Sequence, residues 1–220
     1  MSEITRQLVS LQVGQPQSLE TDGAKWRSAI YKSPVVGRVF LDQTNLSGDR
    51  QANLKYHGGP DKAVCAFPSE HFSRWRAELG LGEEFGYGAF GENFTLSGMD
   101  ETSVCIGDIY AVGAAKAQVS QPRQPCVKLA RKWNYPSFPE RLIETGHTGY
   151  YLRVLEPGEV GAGDSVTLLE RPHPEITIEF TNAAKYRKVG GIERARLLAH
   201  LPELAEAWRG PFRNRKGVLL

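Results

Sequence analysis

The chain has 220 residues, a formal net charge of +2, 23 glycines and 13 prolines, enough for one large domain or one domain with a small appendage. A nearly balanced charge with 40% hydrophobic residues excludes a disordered chain and a polyanion-coating protein. No apolar run approaches the roughly 20 residues that cross a bilayer, and Met1 to Leu11 lacks the basic region and apolar block of a secretory leader, so cytoplasmic residence is expected. Three widely spaced cysteines, Cys65, Cys105 and Cys126, form no disulfide framework. With no CxxC and no HExxH, a metal site must use few protein ligands or arrive with a cofactor.

Gln7 to Val13 alternates as a strand, and Trp26, Ser28 and Ile30 mark a second that runs to Tyr31. Lys32-Ser33-Pro34 interrupts it, and Val35 to Leu41 resumes as a third strand. Asn45 to Tyr56 reads as a loop with one helical turn. His57-Gly58-Gly59-Pro60-Asp61-Lys62 then precedes the apolar strand Ala63 to Phe67. Two glycines let successive N–H groups converge on one point as an anion nest; a plain tight turn explains the same spacing.

Ser69 reads as an N-cap for a helix carrying Phe72, Trp75 and Leu79, which Gly80 ends. Gly91 to Thr95 is a short strand with Asn93 and Thr95 on one face, either facing a ligand or simply solvated. Val104 to Val119 carries two strands, Ser137 to Thr145 a helix, Gly149 to Leu155 a strand and Val160 to Leu169 the last strand pair. Ile106-Gly107-Asp108 and Ala162-Gly163-Asp164 share turn chemistry, a Gly-Asp before a strand. Many short strands with Gly and Pro turns and no βαβ alternation predict a mainly β fold, a barrel over residues 1–170 decorated by helices at 69–79, 126–133 and 137–145.

Beyond the stiff linker Arg171-Pro172-His173-Pro174, segments 178–186, 191–200 and 202–209 are helical by spacing and form a three-helix unit over 175–220. Glu175 to Leu220 holds nine basic against five acidic residues. Such a surplus suits nucleic acid or an acidic electron-transfer partner, but a helical cap with a solvated basic face asks for less, and nucleic-acid binding is not expected.

Ser120-Gln121-Pro122-Arg123-Gln124-Pro125-Cys126 and the helix after it concentrate the chemistry. Pro125 suits a position just inside a helix start, which would place Cys126 in the first turn among free N–H groups. Arg123, Lys128 and Arg131 nearby favour a thiolate, the form that attacks or binds a soft metal. A buried structural cysteine is the other reading.

Together, His57-Gly-Gly-Pro-Asp-Lys62, Gly88-Ala-Phe-Gly-Glu-Asn-Phe-Thr95, Ile106-Gly-Asp108, Ser120 to Cys126 and Tyr150 to Gly158 resemble, in order, the motifs of MOSC-domain proteins, relatives of the C-terminal domain of molybdenum-cofactor sulfurase. The resemblance covers nearly the whole chain and is greatest to the YiiM-like branch, which adds a C-terminal 3-alpha domain. It implies a MOSC-type β-barrel, a bound Mo-molybdopterin ligated by Cys126, and reduction of N-hydroxylated compounds such as hydroxylaminopurine base analogues. Electrons would come from a separate flavin or iron–sulfur reductase. Because molybdopterin brings its own sulfur ligands, one protein thiolate suffices. Candidates to hold the pterin phosphate are Lys32, Ser33, His57, Lys62 and Arg123, with the guanidinium suited to bidentate contact. Asn93 and Thr95 are candidates for hydrogen bonds to pterin or substrate, and His57 or Asp61 for proton relay. Three rival readings remain open: a persulfide sulfur carrier on Cys126, a non-catalytic binding module with a basic tail, and a pyridoxal phosphate enzyme using Lys62. A monomer and a homodimer are both compatible with the sequence.

Overall fold

The computed structural model describes residues 5–21 and 23–218. β1 (Gln7–Val13) forms as its alternation predicts. The next element was not legible: β2 (Gln17–Thr21) is a polar strand that pairs with β3 (Ala24–Ser28), so the strand expected over Trp26 to Tyr31 shifts back and ends at Ser28. The strand expected over 35–41 is split. β4 (Ser33–Pro34) pairs with β1, and β5 (Arg38–Leu41) pairs with β11 (Gly158–Gly161).

α1 (Leu54–His57) is the single helical turn expected, capped by the Asn53 side chain. β6 (Val64–Pro68) follows. Ser69 is not an N-cap: it opens a 3-10 turn, Ser69–His71, and α2 (Phe72–Leu79) starts without a side-chain cap and ends at left-handed Gly80. β7 (Phe94–Ser97), β8 (Ile109–Val112), β9 (Ala115–Pro122), β10 (Tyr150–Glu156) and β12 (Val166–Glu170) complete the strands, with α3 (Val127–Trp133) and α4 (Phe138–Thr145) between β9 and β10.

Eight strands form one mixed sheet in the order β12-β8-β9-β10-β6-β7-β1-β4, in which only β6 and β7 run parallel. The sheet curls until its far strands meet. Leu8 N–H donates to the Asp164 carbonyl at 2.9 Å, Gly163 N–H to Leu8 at 2.8 Å and Val166 N–H to Arg6 at 3.0 Å. The sheet is a curled half-barrel, which meets the expected β-barrel in part.

The two Gly-Asp turns are built alike. Asp108 Oδ2 accepts from Cys105 N–H and Asp164 Oδ2 from Gly161 N–H, each at 2.9 Å. Each turn passes through a glycine at positive φ, +87° at Gly107 and +95° at Gly163, the conformation that a side chain disfavours. Each aspartate also meets an arginine, Arg171 for Asp108 and Arg38 for Asp164. The difference is burial: Asp108 is fully buried and also accepts from the Tyr110 hydroxyl, whereas the Arg38 pair is exposed.

Two apolar clusters carry the packing. The first fills the curl of the sheet and continues without a break into the C-terminal helices, through Ile178, Leu198, Leu204, Trp208 and Phe212. Those helices are α5 (Ile178–Asn182) with a π-helical turn Ala183–Arg187, α6 (Gly191–Ala199) and α7 (Glu206–Arg213). α7 lies four residues later than the helix expected over 202–209 and runs through Pro211, because Trp208 and Phe212 one turn apart bury a common face. The second cluster is aromatic. Phe67, Phe72, Trp75, Phe85, Phe90 and Phe138 pack α2, α3 and α4 outside the sheet, with Phe67 and Phe90 stacked at 3.6 Å between ring centroids.

The twin turns make a direct comparison. Asp108→Ala strands the Cys105 N–H and the Arg171 guanidinium, with an expected loss of about 3 kcal/mol, whereas Asp164→Ala should cost about 1 kcal/mol because its partner is solvated. Urea denaturation of the two variants checks the order, and equal losses would show that burial is not what separates them.

Candidate active site

β9 delivers the functional stretch. Its last residues pair with β10, Gln121 opposite Tyr151 and Pro122 opposite Tyr150. Arg123 N–H then donates to the Gly149 carbonyl at 3.0 Å. Gly149 has to be glycine: at φ +69° a Cβ would lie 2.5 Å from the Ala66 carbonyl oxygen. That fixed backbone turns the Arg123 side chain inward, where it is 6% exposed and Nη2 donates to the Phe90 carbonyl at 2.6 Å. Arg123 Nη1 is buried with no partner.

Cys126 stands at the start of α3, but as its N-cap and not in its first turn. Its backbone is extended (φ −121°, ψ 134°), and Pro125 lies outside the helix. The thiol makes no cap hydrogen bond and is half-buried, so it is free to face a ligand.

Two adjoining clefts meet at this thiol. The inner one, narrow at about 80 Å³, is walled by Lys32, Cys65, Asn93 and Arg123 among others. The outer one, with about 490 Å³, lies between α1, α3 and the start of α7. His57, Lys62, Cys126, Lys128 and Tyr151 line both.

The residues singled out in the sequence fall into two groups. Cys126, Arg123, His57, Lys62, Lys32 and Asn93 come together at the clefts. Ser33, Asp61 and Thr95 line neither. Ser33 is exposed on β4. Asp61 is ion-paired with Arg153 at 2.8 Å, and its carbonyl accepts from the Ser120 hydroxyl. Thr95 is buried and donates to Glu92 at 3.0 Å. Asn93 spends its amide on the frame, accepting from Cys65 N–H at 3.1 Å and donating to the Gln12 carbonyl at 3.2 Å. Neither Asn93 nor Thr95 forms a solvated strand face.

The His57-to-Lys62 segment is a tight turn. Gly58 N–H donates back to Leu54 and Lys62 N–H to Gly59, so these two N–H groups are spent within the turn. The His57 and Lys62 side chains reach the clefts instead. Lys62 Nζ donates to the Tyr56 carbonyl at 2.9 Å. Lys32 is held at 2.5 Å by Asp49, a carboxylate that sequence spacing did not connect to it.

Other residues at and behind the cleft wall were not singled out by the sequence. Cys65 reads as an ordinary strand residue, yet it lines the inner cleft, and burial pushes its thiol up. Glu92 is buried and accepts from Gly88 N–H at 2.5 Å and Phe90 N–H at 3.0 Å, which shapes the loop whose carbonyl holds Arg123. Lys132, behind that loop, donates to the Gly88 carbonyl at 2.9 Å. Burial brings Lys132 down to about 8 against the opposing pull of Glu92, with Arg123 and Lys32 adding to the fall. His57 is lowered to about 4, first by burial and then by Arg123, Lys128 and Lys62. The site has accumulated positive charge in a desolvated place, the condition for binding an anion. Among the described residues no group of three or more His, Cys, Asp or Glu stands together for a metal, so a metal here would rest on one thiolate and on ligands of its own.

The site is thus a cation-lined cleft around one half-buried thiol, on a curled mixed sheet. A MOSC-domain family model matches residues 53–167, a span that includes the thiol, both clefts' shared walls and β6 to β10. A Bacillus subtilis (strain 168) protein called Uncharacterized protein YflK is 43% identical over 213 residues, 97% of this chain and 96% of its own. A Gibberella moniliformis protein named Reductase is 40% identical over 158 residues, 71% of this chain but 28% of its own. The crystal structure of YiiM from Geobacillus stearothermophilus superposes with a TM-score of 0.80 at 38% identity, covering 94% of this chain and 97% of that one. The chain belongs to the MOSC-domain family and to its YiiM-like branch, and members of that family are associated with the molybdenum cofactor.

In protein free of cofactor, a proton-detected NMR titration should find the His57 imidazole neutral down to pH about 4. His147, stacked on His71 at 3.7 Å, moves the same way, to about 4, through burial and then His71. Between the ordinary value of 6.5 and about 4 the unfolded chain takes up these protons while the folded one does not. The stability from keeping both rings neutral is therefore complete above pH 6.5 and is lost as pH falls toward 4. A His57 midpoint near 6.5 would contradict the packing described.

Proposed function

We propose that this protein binds the molybdenum cofactor through Cys126 and reduces N-hydroxylated compounds in the cytoplasm, taking electrons from a separate flavin or iron–sulfur protein. The observation that carries the proposal is the unpartnered, buried Nη1 of Arg123 in the same cleft as the thiol. An orphaned guanidinium nitrogen in a desolvated cleft is expensive without a counter-anion. The cofactor's phosphate is such an anion, and the cofactor's own sulfur ligands answer the lack of a protein ligand cluster.

Cys126 would ligate the metal, and Arg123, Lys62 and Lys128 would hold the anionic part. Lys32, already neutralised by Asp49, would brace the inner wall instead of adding free charge. Asn93 would fix the Cys65 backbone that forms that wall. When bound, the cofactor supplies two-electron chemistry that cleaves an N–O bond, and the protein supplies orientation and electrostatics. His57 stays neutral at physiological pH, so it can accept a proton on one ring nitrogen and release one from the other. That makes it a better candidate than Asp61, which Arg153 holds outside both clefts. The Gibberella relative named Reductase, in which the matching region is 28% of the length, supports an electron-transfer setting for this fold.

Cys126→Ser should lose molybdenum and at least about a hundredfold of N-hydroxylamine reduction, equivalent to roughly 2.7 kcal/mol of barrier. Metal analysis of protein from a cofactor-producing host, paired with turnover under a chemical reductant, checks both. Full molybdenum and activity in that variant would overturn the assignment, and a sulfur adduct on wild-type Cys126 without molybdenum would move it to a sulfur carrier.

A further inference from the structure

We infer that the outer cleft receives the phosphate-bearing form of an N-hydroxylated base, a nucleotide in preference to the free base; this rests on the reductase reading of the site. Lys55, Lys62 and Lys128 line that cleft, and no aspartate or glutamate does. The acids nearest to it in sequence are already paired: Asp61 with Arg153, and Glu206, beside the cleft residue Ala207, with Arg209 and Arg213. The π-helical turn brings a further cation nearby. Lys185 packs on the Trp208 ring at 4.0 Å and is lowered to about 8 by burial and then by Arg215 and Lys62. A pocket with this balance favours a charged over a neutral ligand.

The rest of the lining suits a base. Gln121 is 1% exposed, and its Oε1 has no hydrogen-bond partner. Its Nε2 has only the carbonyl of Pro122, at 3.4 Å. A buried amide left so poorly satisfied can accept from an amino or hydroxylamino group and donate to a ring nitrogen, the pairing that amides make with adenine. Tyr56, 62% exposed at the rim, offers a ring face for stacking. The cleft's volume, about 490 Å³, accommodates base, sugar and phosphate together. Cys126 stands where this cleft joins the inner one, so a base read by Gln121 reaches the thiol's side of the site. Lys55 lines the outer cleft alone, so its charge is not required for holding a cofactor within.

Calorimetric titration of the protein purified from a molybdenum-cofactor-producing host, with adenosine 5′-monophosphate, adenosine and inorganic phosphate, tests this without turnover. The monophosphate should bind roughly tenfold tighter than adenosine, with an advantage that shrinks as salt rises. Lys55→Glu, at an exposed position, should remove at least about fivefold of the monophosphate affinity and leave that for adenosine unchanged. Equal affinity for nucleotide and nucleoside, or an unaltered monophosphate affinity in Lys55→Glu, overturns the inference. Inorganic phosphate binding as tightly as the monophosphate overturns it too, since the base would then contribute nothing. The expected pattern in a protein that reduces no N-hydroxylated compound would sink the reductase reading alone. Turnover with no preference for the nucleotide would sink only this inference.

Discussion

The guanidinium of Arg123 is the constraint on which the rest depends. A permanent charge taken out of water must find polar partners or the fold loses several kcal/mol. Here it finds one carbonyl, Phe90, and leaves Nη1 without any. Burial works against the charge, but Cys65, Tyr151, Cys126 and Glu92 around it outweigh burial and raise its pKa. That unsatisfied nitrogen is the feature that the proposed anion would answer.

Much of the surrounding architecture serves to hold that arginine still. Its backbone is tied to Gly149 at the mouth of β10, and Gly149 N–H is in turn tied to the buried Glu101 at 2.8 Å. The Phe90 carbonyl is presented by a loop that Glu92 braces from inside and Lys132 and Trp133 tie down from α3. Phe90 itself is stacked on Phe67 from β6, so the aromatic cluster outside the sheet anchors the same loop. Electrostatics at the thiol and packing on the far side of the sheet are therefore one mechanical system.

Periodicity and turn chemistry made the large elements legible. β1, the strand pair around Gly113 and the helices ending at Gly80 and Gly146 lie where alternation and glycine stops place them. The β2–β3 hairpin was not legible because Gln-Ser-Leu-Glu-Thr carries one apolar residue and buries none fully, so no pattern marks it. α7 lies later than the spacing of Leu204 and Trp208 places it, because burial of Trp208 and Phe212 on one face carries the helix through Pro211. At the site, the motif order brought out Cys126 and Arg123, but spacing along the chain says nothing of what faces them. Asp49 neutralising Lys32, Arg153 removing Asp61 and Cys65 in the cleft wall all come from partners distant in sequence. The thiol's position as a cap was missed by one residue, which is the usual uncertainty of a helix end, yet that residue decides whether its backbone is helical or extended.

The C-terminal helices follow the same logic. Ala205 N–H donates to the Ser120 carbonyl at 2.9 Å, at the head of the functional stretch, while the Ser120 hydroxyl reaches the Asp61 carbonyl. One serine thus joins the strand that carries Arg123, the turn that carries Lys62 and the approach to α7. Ala207, two residues further on, is part of the outer cleft wall, and the buried side chains of these helices belong to the cluster that fills the sheet. Removing them would open that cluster to water and take away one wall of the outer cleft. The helical tail shares the core of the sheet and supplies Ala207 to the outer cleft wall, so it packs as a continuation of the sheet's core.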